Sequence, residues 1–325
     1  MPVRVVVPAG GIGAARFLRG LQAALDADAE ITVIGNTGDD ITLFGLRICP
    51  DLDTVMYTLG GGIEESQGWG RAGESFVVGE ELAAYDAGPA WFGLGDRDLA
   101  THLVRTQMLD AGYPLSAVTA ALCARWSPGV RLLPMTDDRV ETHVVIDDEQ
   151  GRRAVHFQEY WVRLRAAPAA LEVVPVGASD AKPGPGVLEA IAAADVVVLP
   201  PSNPVVSIGL VLAVPGIADA IRATPAPVVG VSPIISGSPV RGMADKLLPV
   251  IGVATTAEAV ARHYGVRRAG GLLDGWLVDT ADADAAAALS ADGLPTRAVP
   301  LLMSDLDATA AIAAAALELA GAVRR

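Results

Sequence analysis

The chain has 325 residues, 51% of them hydrophobic, and a formal net charge of −14. That length can bury a large core in one or two domains, while the negative charge argues against a nucleic-acid partner, which would ask for a basic stripe. No run reaches the ~18 apolar residues of a membrane span and no signal peptide is read. The two cysteines, Cys49 and Cys123, give neither a disulfide framework nor metal spacing, so a cytoplasmic protein without a membrane partner is expected.

Residues 3–8 are a short β-rich run that meets Gly10, Gly11 and Gly13, after which Phe17, Leu18, Leu21 and Leu25 fall at helical spacing. Strand, glycine turn and helix aim free backbone N–H groups and a helix dipole at an anion. Arg16 stands where the dinucleotide fingerprint has its third glycine. An oligophosphate held by backbone amides, with Arg16, therefore fits better than a nicotinamide cofactor; a tight turn with close helix packing is the plainer use of the same glycines. Val33 and Ile34 close a second strand, and Asn36-Thr37-Gly38-Asp39-Asp40 follows. Doubly wound sheets bind ligands beyond the carboxyl ends of their strands, which puts Asp39 and Asp40 at that rim, although these residue types also suit a solvated turn. Past the mostly apolar residues 41–49 come Asp51 and Asp53. Two loops that each present a carboxylate pair would seat a hard divalent cation.

Residues 56–62 read as a helix ending in glycines, 68–73 as a mobile surface loop and 80–85 as a short helix. Trp91-Phe92-Gly93-Leu94-Gly95-Asp96-Arg97-Asp98 then opens a helix through Leu99, Leu103 and Met108. Its acids suit an N-cap and first turn, and the aromatics before it suit a flat ligand packed on the turn. Residues 115–126 form another amphipathic helix. Residues 130–133, 141–146 and 153–162 read as strands of an antiparallel excursion, with His143 and His156 in structural places. From 171 the β–α alternation returns, and residues 196–199 are a fully apolar buried strand. Ser202, Asn203 and Ser207 follow it, suited to a nucleotide's phosphates or base. A strand at 228–231, strands within 272–278 and 297–302, and helices near 257–263 and 305–320 complete the chain. The expected fold is α/β: a Rossmann-like doubly wound, mostly parallel sheet with helices on both faces. It is expected as a single domain over 1–325, with a helical and antiparallel β insertion at about 60–165.

The sequence has no G-x-S-x-G, H-E-x-x-H, C-x-x-C or Walker A lysine loop. Its four histidines, His102, His143, His156 and His263, do not pair at metal spacing. Phosphate-cradling backbone, carboxylates for a cation and an aromatic surface remain, a combination that suits phosphoryl or phosphodiester transfer.

Gly10-Gly11-Ile12-Gly13-Ala14-Ala15-Arg16, the Asn36 to Asp40 turn, Ile48-Cys49-Pro50-Asp51-Leu52-Asp53-Thr54-Val55, Leu94-Gly95-Asp96-Arg97-Asp98, His156-Phe157-Gln158-Glu159 and residues 201–209 stand in order along the chain. Together they resemble the 2-phospho-L-lactate transferase family (CofD/FbiA) of coenzyme F-420 biosynthesis, in its actinobacterial branch. The resemblance implies a donor that is a guanosine diphosphate ester of enolpyruvate or lactate, and an acceptor that is the deazaflavin alcohol Fo. GMP would leave, with Mg2+ present. Asp53 would lie nearest acceptor and metal, with Asp51 and Asp40 as further catalytic candidates and Asp40 as the second metal ligand. Gly10, Gly11, Gly13, Arg16, Ser202, Asn203 and Ser207 would hold the guanosine diphosphate, and Trp91, Phe92 and Gly93 the deazaflavin. Family precedent suggests a homodimer. An NAD-dependent oxidoreductase, with Asp39 as the ribose-binding acid, and a non-catalytic nucleotide-sensing protein of the same fold are the alternatives. Asp53→Asn is expected to cut turnover and to leave thermal stability close to wild type.

Overall fold

Strands β1 (Arg4–Ala9), β2 (Glu30–Gly35), β5 (Arg131–Pro134), β9 (Val196–Leu199), β10 (Val228–Val231), β13 (Gly275–Val278) and β14 (Thr296–Ala298) form one sheet. Every pairing in it is parallel, and the spatial order is β14-β13-β10-β9-β1-β2-β5. The computed structural model describes residues 2–323. Between β2 and β5 lies the hairpin β3 (Ile41–Leu43) and β4 (Leu46–Ile48). Between β5 and β9 a second sheet holds β6 (Glu141–Asp148) flanked by β7 (Gly151–His156) and β8 (Ala170–Val176), both antiparallel to it. A small hairpin, β11 (Ile234–Ile235) and β12 (Ser238–Pro239), follows β10.

The main sheet is apolar on both faces, as a parallel sheet covered on both sides must be. Alternation along β1 sends Val5, Val7 and Ala9 into one core and Val6 into the other. The first core also takes helices α1 (Gly11–Ala24), α2 (Pro50–Leu59) and α5 (Leu115–Trp126), and the C-terminal helix Leu306–Val323. The second takes Val187, Ile191, Ile217 and Ile221 from two short helices, together with Val144, Ile146 and Val155 of the antiparallel sheet. By length and composition the C-terminal helix could cross a membrane. In this fold Ile312, Ala313, Ala316, Leu319 and Ala320 bury one of its faces in the first core.

Chain order reverses between β1 and β9: β2 and β5 extend to one side of β1, and β9 to β14 to the other. The crevice beyond the carboxyl ends of β1 and β9 is the switch point where such sheets receive ligands. The Gly10–Gly13 turn and the residues 200–207 segment border it.

Several local expectations change. Residues 130–133 belong to β5, the edge strand of the parallel sheet beside β2, and not to the antiparallel excursion. Residues 153–162 are not one strand. β7 stops at His156, and Glu159–Arg163 is a wide-turned helix that buries Tyr160. The strand ending at Val176 pairs with β6 and so extends the excursion instead of ending it. The helix read at 56–62 is Pro50–Leu59. Pro50 at its first position has the pre-set φ that a helix start favours, and Asp51 and Asp53 in the first turn complement the dipole. Asp51 and Asp53 are therefore helical residues, not loop residues.

α1 packs closely on the C-terminal helix through Gly20, where an added Cβ would lie 2.5 Å from the Thr309 backbone carbon. Gly20→Ala is expected to destabilise the protein by about 1–3 kcal/mol through forced separation of the two helices. An unchanged midpoint in urea unfolding would refute that packing.

Candidate active site

Three loops converge on the switch point. Gly10 lies so close to its neighbours that a Cβ there would meet Ser207 Cβ at 2.7 Å and Asp51 Oδ2 at 2.8 Å. A Cβ on Gly13 would lie 2.6 Å from the Pro201 carbonyl oxygen. Ser202 Oγ donates to the Gly10 carbonyl at 2.5 Å. Asn203 Oδ1 accepts from the backbone N–H groups of Val205 and Val206, so its carboxamide oxygen shapes its own loop. Asn36 Nδ2 donates to Asp51 Oδ2 at 2.8 Å and to the Val206 carbonyl at 3.2 Å, tying the ends of β2 and β9 to α2.

Asp51 lies against the glycine turn, where a Cβ on Gly10 or Gly11 would come within 2.8 and 3.4 Å of its carboxylate oxygens. An anion is thus already at the start of α1, where the helix dipole favours one. Burial pushes the Asp51 carboxyl up to about 7, against the hydrogen bond from Asn36 and with the charge of Asp40 adding to the rise.

Asp39 and Asp40 follow on the β2 rim, both buried. The β7 segment braces their backbone: His156 Nε2 lies 3.1 Å from the Asp40 carbonyl, and Gln158 Nε2 donates to the Asp39 carbonyl at 3.4 Å. Burial, then the charge of Asp51, pushes the Asp39 carboxyl well above the usual carboxylate range. Burial raises Asp40 to about 6, in spite of Arg47 Nη2 at 3.1 Å and the Cys49 thiol at 3.0 Å, which both donate to its Oδ2.

Asp53, one helical turn in, meets α4 (Asp96–Asp110). Arg105 Nη2 donates to Asp53 Oδ1, and His102 Nδ1 is 3.8 Å from Oδ2. Burial raises the Asp53 carboxyl, opposed by Arg105 and His102. Asp98 is 3.4 Å from His102 Nε2 and accepts from the Tyr57 hydroxyl at 2.6 Å. Burial works to raise Asp98, but its bonds and charges with His102, and the Tyr57 bond, bring it below the ordinary value. Of the apolar residues read along helix α4, Leu99 and Met108 pack partly buried, but Leu103 faces outward and polar residues take the inner face. His102 and Arg105 are each 1% exposed while Leu103 is 48% exposed, because this face meets carboxylates. The missed signal was the spacing Asp98, His102, Arg105, which at i, i+4 and i+7 is one helical face.

Other sequence candidates lie further out. Arg16 is on the outer face of α1 beneath the residues 62–72 loop, its Nη2 3.7 Å from the place of a Gly68 Cβ. Trp91 and Phe92 pack edge-to-face, 5.7 Å between ring centroids, in a small apolar cluster with the β3–β4 hairpin, and Gly93 is exposed beside them. No atom lies within 4 Å of the place of a Gly93 Cβ.

Five carboxylates (Asp39, Asp40, Asp51, Asp53 and Asp98) stand with the two guanidinium groups of Arg47 and Arg105 beside an amide-lined crevice. Asp39 Oδ1, Asp40 Oδ1 and Asp53 Oδ2 are buried without a hydrogen-bond partner. Such hard oxygen donors fit a divalent cation of the magnesium type. The fold and this rim define a doubly wound α/β protein with a carboxylate-rich crevice at its switch point. The family model for 2-phospho-L-lactate transferase CofD matches residues 5–301. A phosphoenolpyruvate transferase from Streptomyces griseus is 70% identical over 99% of this chain and 100% of its own. One from Thermobifida fusca is 68% identical over 98% of each chain. A solved UPF0052 family protein from Bacillus halodurans shares the fold, with a TM-score of 0.63 and 21% identity over 98% of this chain and 99% of that one. The chain belongs to the 2-phospho-L-lactate transferase CofD family, and it is a transferase.

A carboxyl whose pKa is raised by folding holds its proton longer in the folded state. Its contribution is intact below the unfolded value of 3.8 and is lost as pH rises through the folded value, about 7 for Asp51. Asp51→Asn removes that loss. In metal-free buffer its melting temperature is therefore expected to gain on wild type by several degrees between pH 5 and pH 8, and Mg2+ is expected to shrink the gain. A difference independent of pH would show that Asp51 is not strained by burial.

Proposed function

We propose that this transferase moves a phosphoenolpyruvyl (or 2-phospho-L-lactyl) group from its guanosine diphosphate ester to the terminal ribityl hydroxyl of the deazaflavin Fo. The products are dehydro-coenzyme F-420-0 (or F-420-0) and GMP. The hydroxyl oxygen bonds to the distal phosphorus, and the bond from that phosphorus to the bridging oxygen breaks, its electron pair leaving on GMP. The observation that carries this reading is the carboxylate group set against the amides of the Gly10–Gly13 turn, with charge to spare for a cation. The relatives' names favour the phosphoenolpyruvyl donor.

The Gly10, Gly11 and Gly13 backbone would receive the diphosphate, with Ser202 and Ser207 on the facing rim and Arg16 at its outer side. Asp40 and Asp53 would hold magnesium, with Asp39 Oδ1 as a further donor. When bound, the ion offsets negative charge on the phosphates as GMP leaves. Asp53 would also position the acceptor hydroxyl and take its proton. Trp91, Phe92 and Gly93 offer an apolar surface for the deazaflavin ring.

With Fo, Mg2+ and the guanylated donor, GMP release by Asp53→Asn is expected to fall roughly 10²-fold or more. The stability expected from sequence is revised: Asp53 neutralises buried Arg105, so this variant should melt lower, because breaking a buried pair costs about 3–5 kcal/mol. Turnover near that of wild type at saturating Mg2+ would reject Asp53. Ser202→Ala, which frees the Gly10 carbonyl, is expected to weaken GDP binding, measured by calorimetry, with turnover at saturating donor kept. Equal GDP affinity would remove Ser202 from the nucleotide site.

A further inference from the structure

Asp53, Asp98 and His102 bring one ligand atom each within 4.8 Å of one another. Two carboxylates and an imidazole are a donor set that suits a divalent transition ion, and His102 and Asp53 are almost wholly buried. Arg105 bears on this group directly. Its Nη2 donates to Asp53 Oδ1, and its Nη1 lies 3.1 Å from His102 Nδ1 and donates to the Arg47 carbonyl at 3.4 Å. A guanidinium can only donate, so His102 Nδ1 accepts from it. The ring proton is thereby assigned to Nε2, which faces Asp98 Oδ2. Neither ring nitrogen then has a lone pair left for a metal.

We infer that Arg105 takes the place of a cation in the Asp53–Asp98–His102 pocket. It closes a latent second metal site, so that the protein holds a single ion, at the outer carboxylates. Arg105 is a positioning residue: it holds Asp53 through Oδ1, while Oδ2, 3.8 Å from His102 Nδ1, has no hydrogen-bond partner. This deepens the proposed function, because it states which oxygen of Asp53 is left for an ion. It also gives the inward polar face of α4 a purpose, which a hydrophobic residue at 105 would not serve.

Mn2+ alone is the probe, titrated by calorimetry and followed by pulsed electron paramagnetic resonance on the full chain. Wild type is expected to bind one ion without coupling to a directly bound imidazole nitrogen. Arg105→Ala is expected to bind two, with that coupling present, and Arg105→Ala combined with His102→Ala to lose it. Arg105→Lys, which keeps a cation, is expected to stay at one ion and to recover part of the turnover that Arg105→Ala loses at saturating substrate. Nitrogen coupling in wild type would overturn the inference. So would a folded Arg105→Ala with one ion and wild-type kcat and KM. If Arg105→Ala does not fold, the wild-type spectrum and Arg105→Lys decide. A wild type that binds no ion beside an Arg105→Ala that binds one through nitrogen would support this inference and defeat the magnesium seat proposed above.

Discussion

The crowding of carboxylates at the carboxyl rim of the sheet is the constraint on which the rest depends. Asp39, Asp40, Asp51 and Asp53 are all buried, and Arg47 and Arg105 offset only part of their charge. Burying an ionised carboxylate costs several kcal/mol unless it is paired. The fold meets that cost in three ways. Arg105 neutralises Asp53; Arg47 and the Cys49 thiol bond Asp40; and the folded state raises the proton affinity of Asp39 and Asp51. What is left over is uncompensated negative charge at the rim, and on that charge the proposed cation rests.

The topology explains why the burden falls there. A doubly wound sheet opens at its switch point, here between β1 and β9. The glycines are needed because three chain segments meet within van der Waals distance: Gly10 against Ser207 and Asp51, and Gly13 against the Pro201 carbonyl. Gly11 also has φ of +65°, the left-handed region that a glycine enters without strain. The structural use of the turn and its proposed phosphate-binding use thus have one origin, since the close approach that excludes side chains also exposes amides.

Much of this was legible in the sequence. Continuous apolar runs such as Val196–Leu199 announce buried parallel strands, and the glycine turn and the two acidic pairs fall at the rim as their neighbours imply. Less legible was anything that depends on which face of an element meets the site. The leucines of helix α4 suggest its inward face, yet His102 and Arg105 are its most buried side chains beside Thr101, while Leu103 is exposed, because this helix packs on carboxylates. β5 could not be told from the antiparallel strands that follow it, since a short apolar strand carries no mark of its partner's direction. Asp51 and Asp53 are expected in a loop that presents a carboxylate pair, although Pro50 before them marks a helix start.

The two ends of Asp53 show how the site divides its labour. On one side Arg105 bonds Asp53 and His102, His102 Nε2 stands 3.4 Å from Asp98, and Tyr57 donates to Asp98, all within helices α2 and α4. On the other, Asp40 lies in electrostatic reach of Asp53, and the Asp39–Asp40 turn is braced by His156 at the end of β7 and by Gln158 just beyond it. The antiparallel excursion is therefore more than a decoration on the sheet. It supplies the brace for one half of the carboxylates, and the α2–α4 segment supplies the counter-charge for the other. Loss of Arg105 or Arg47 would leave buried aspartates to repel one another, whereas His156 and Gln158 fix only the backbone that carries Asp39 and Asp40.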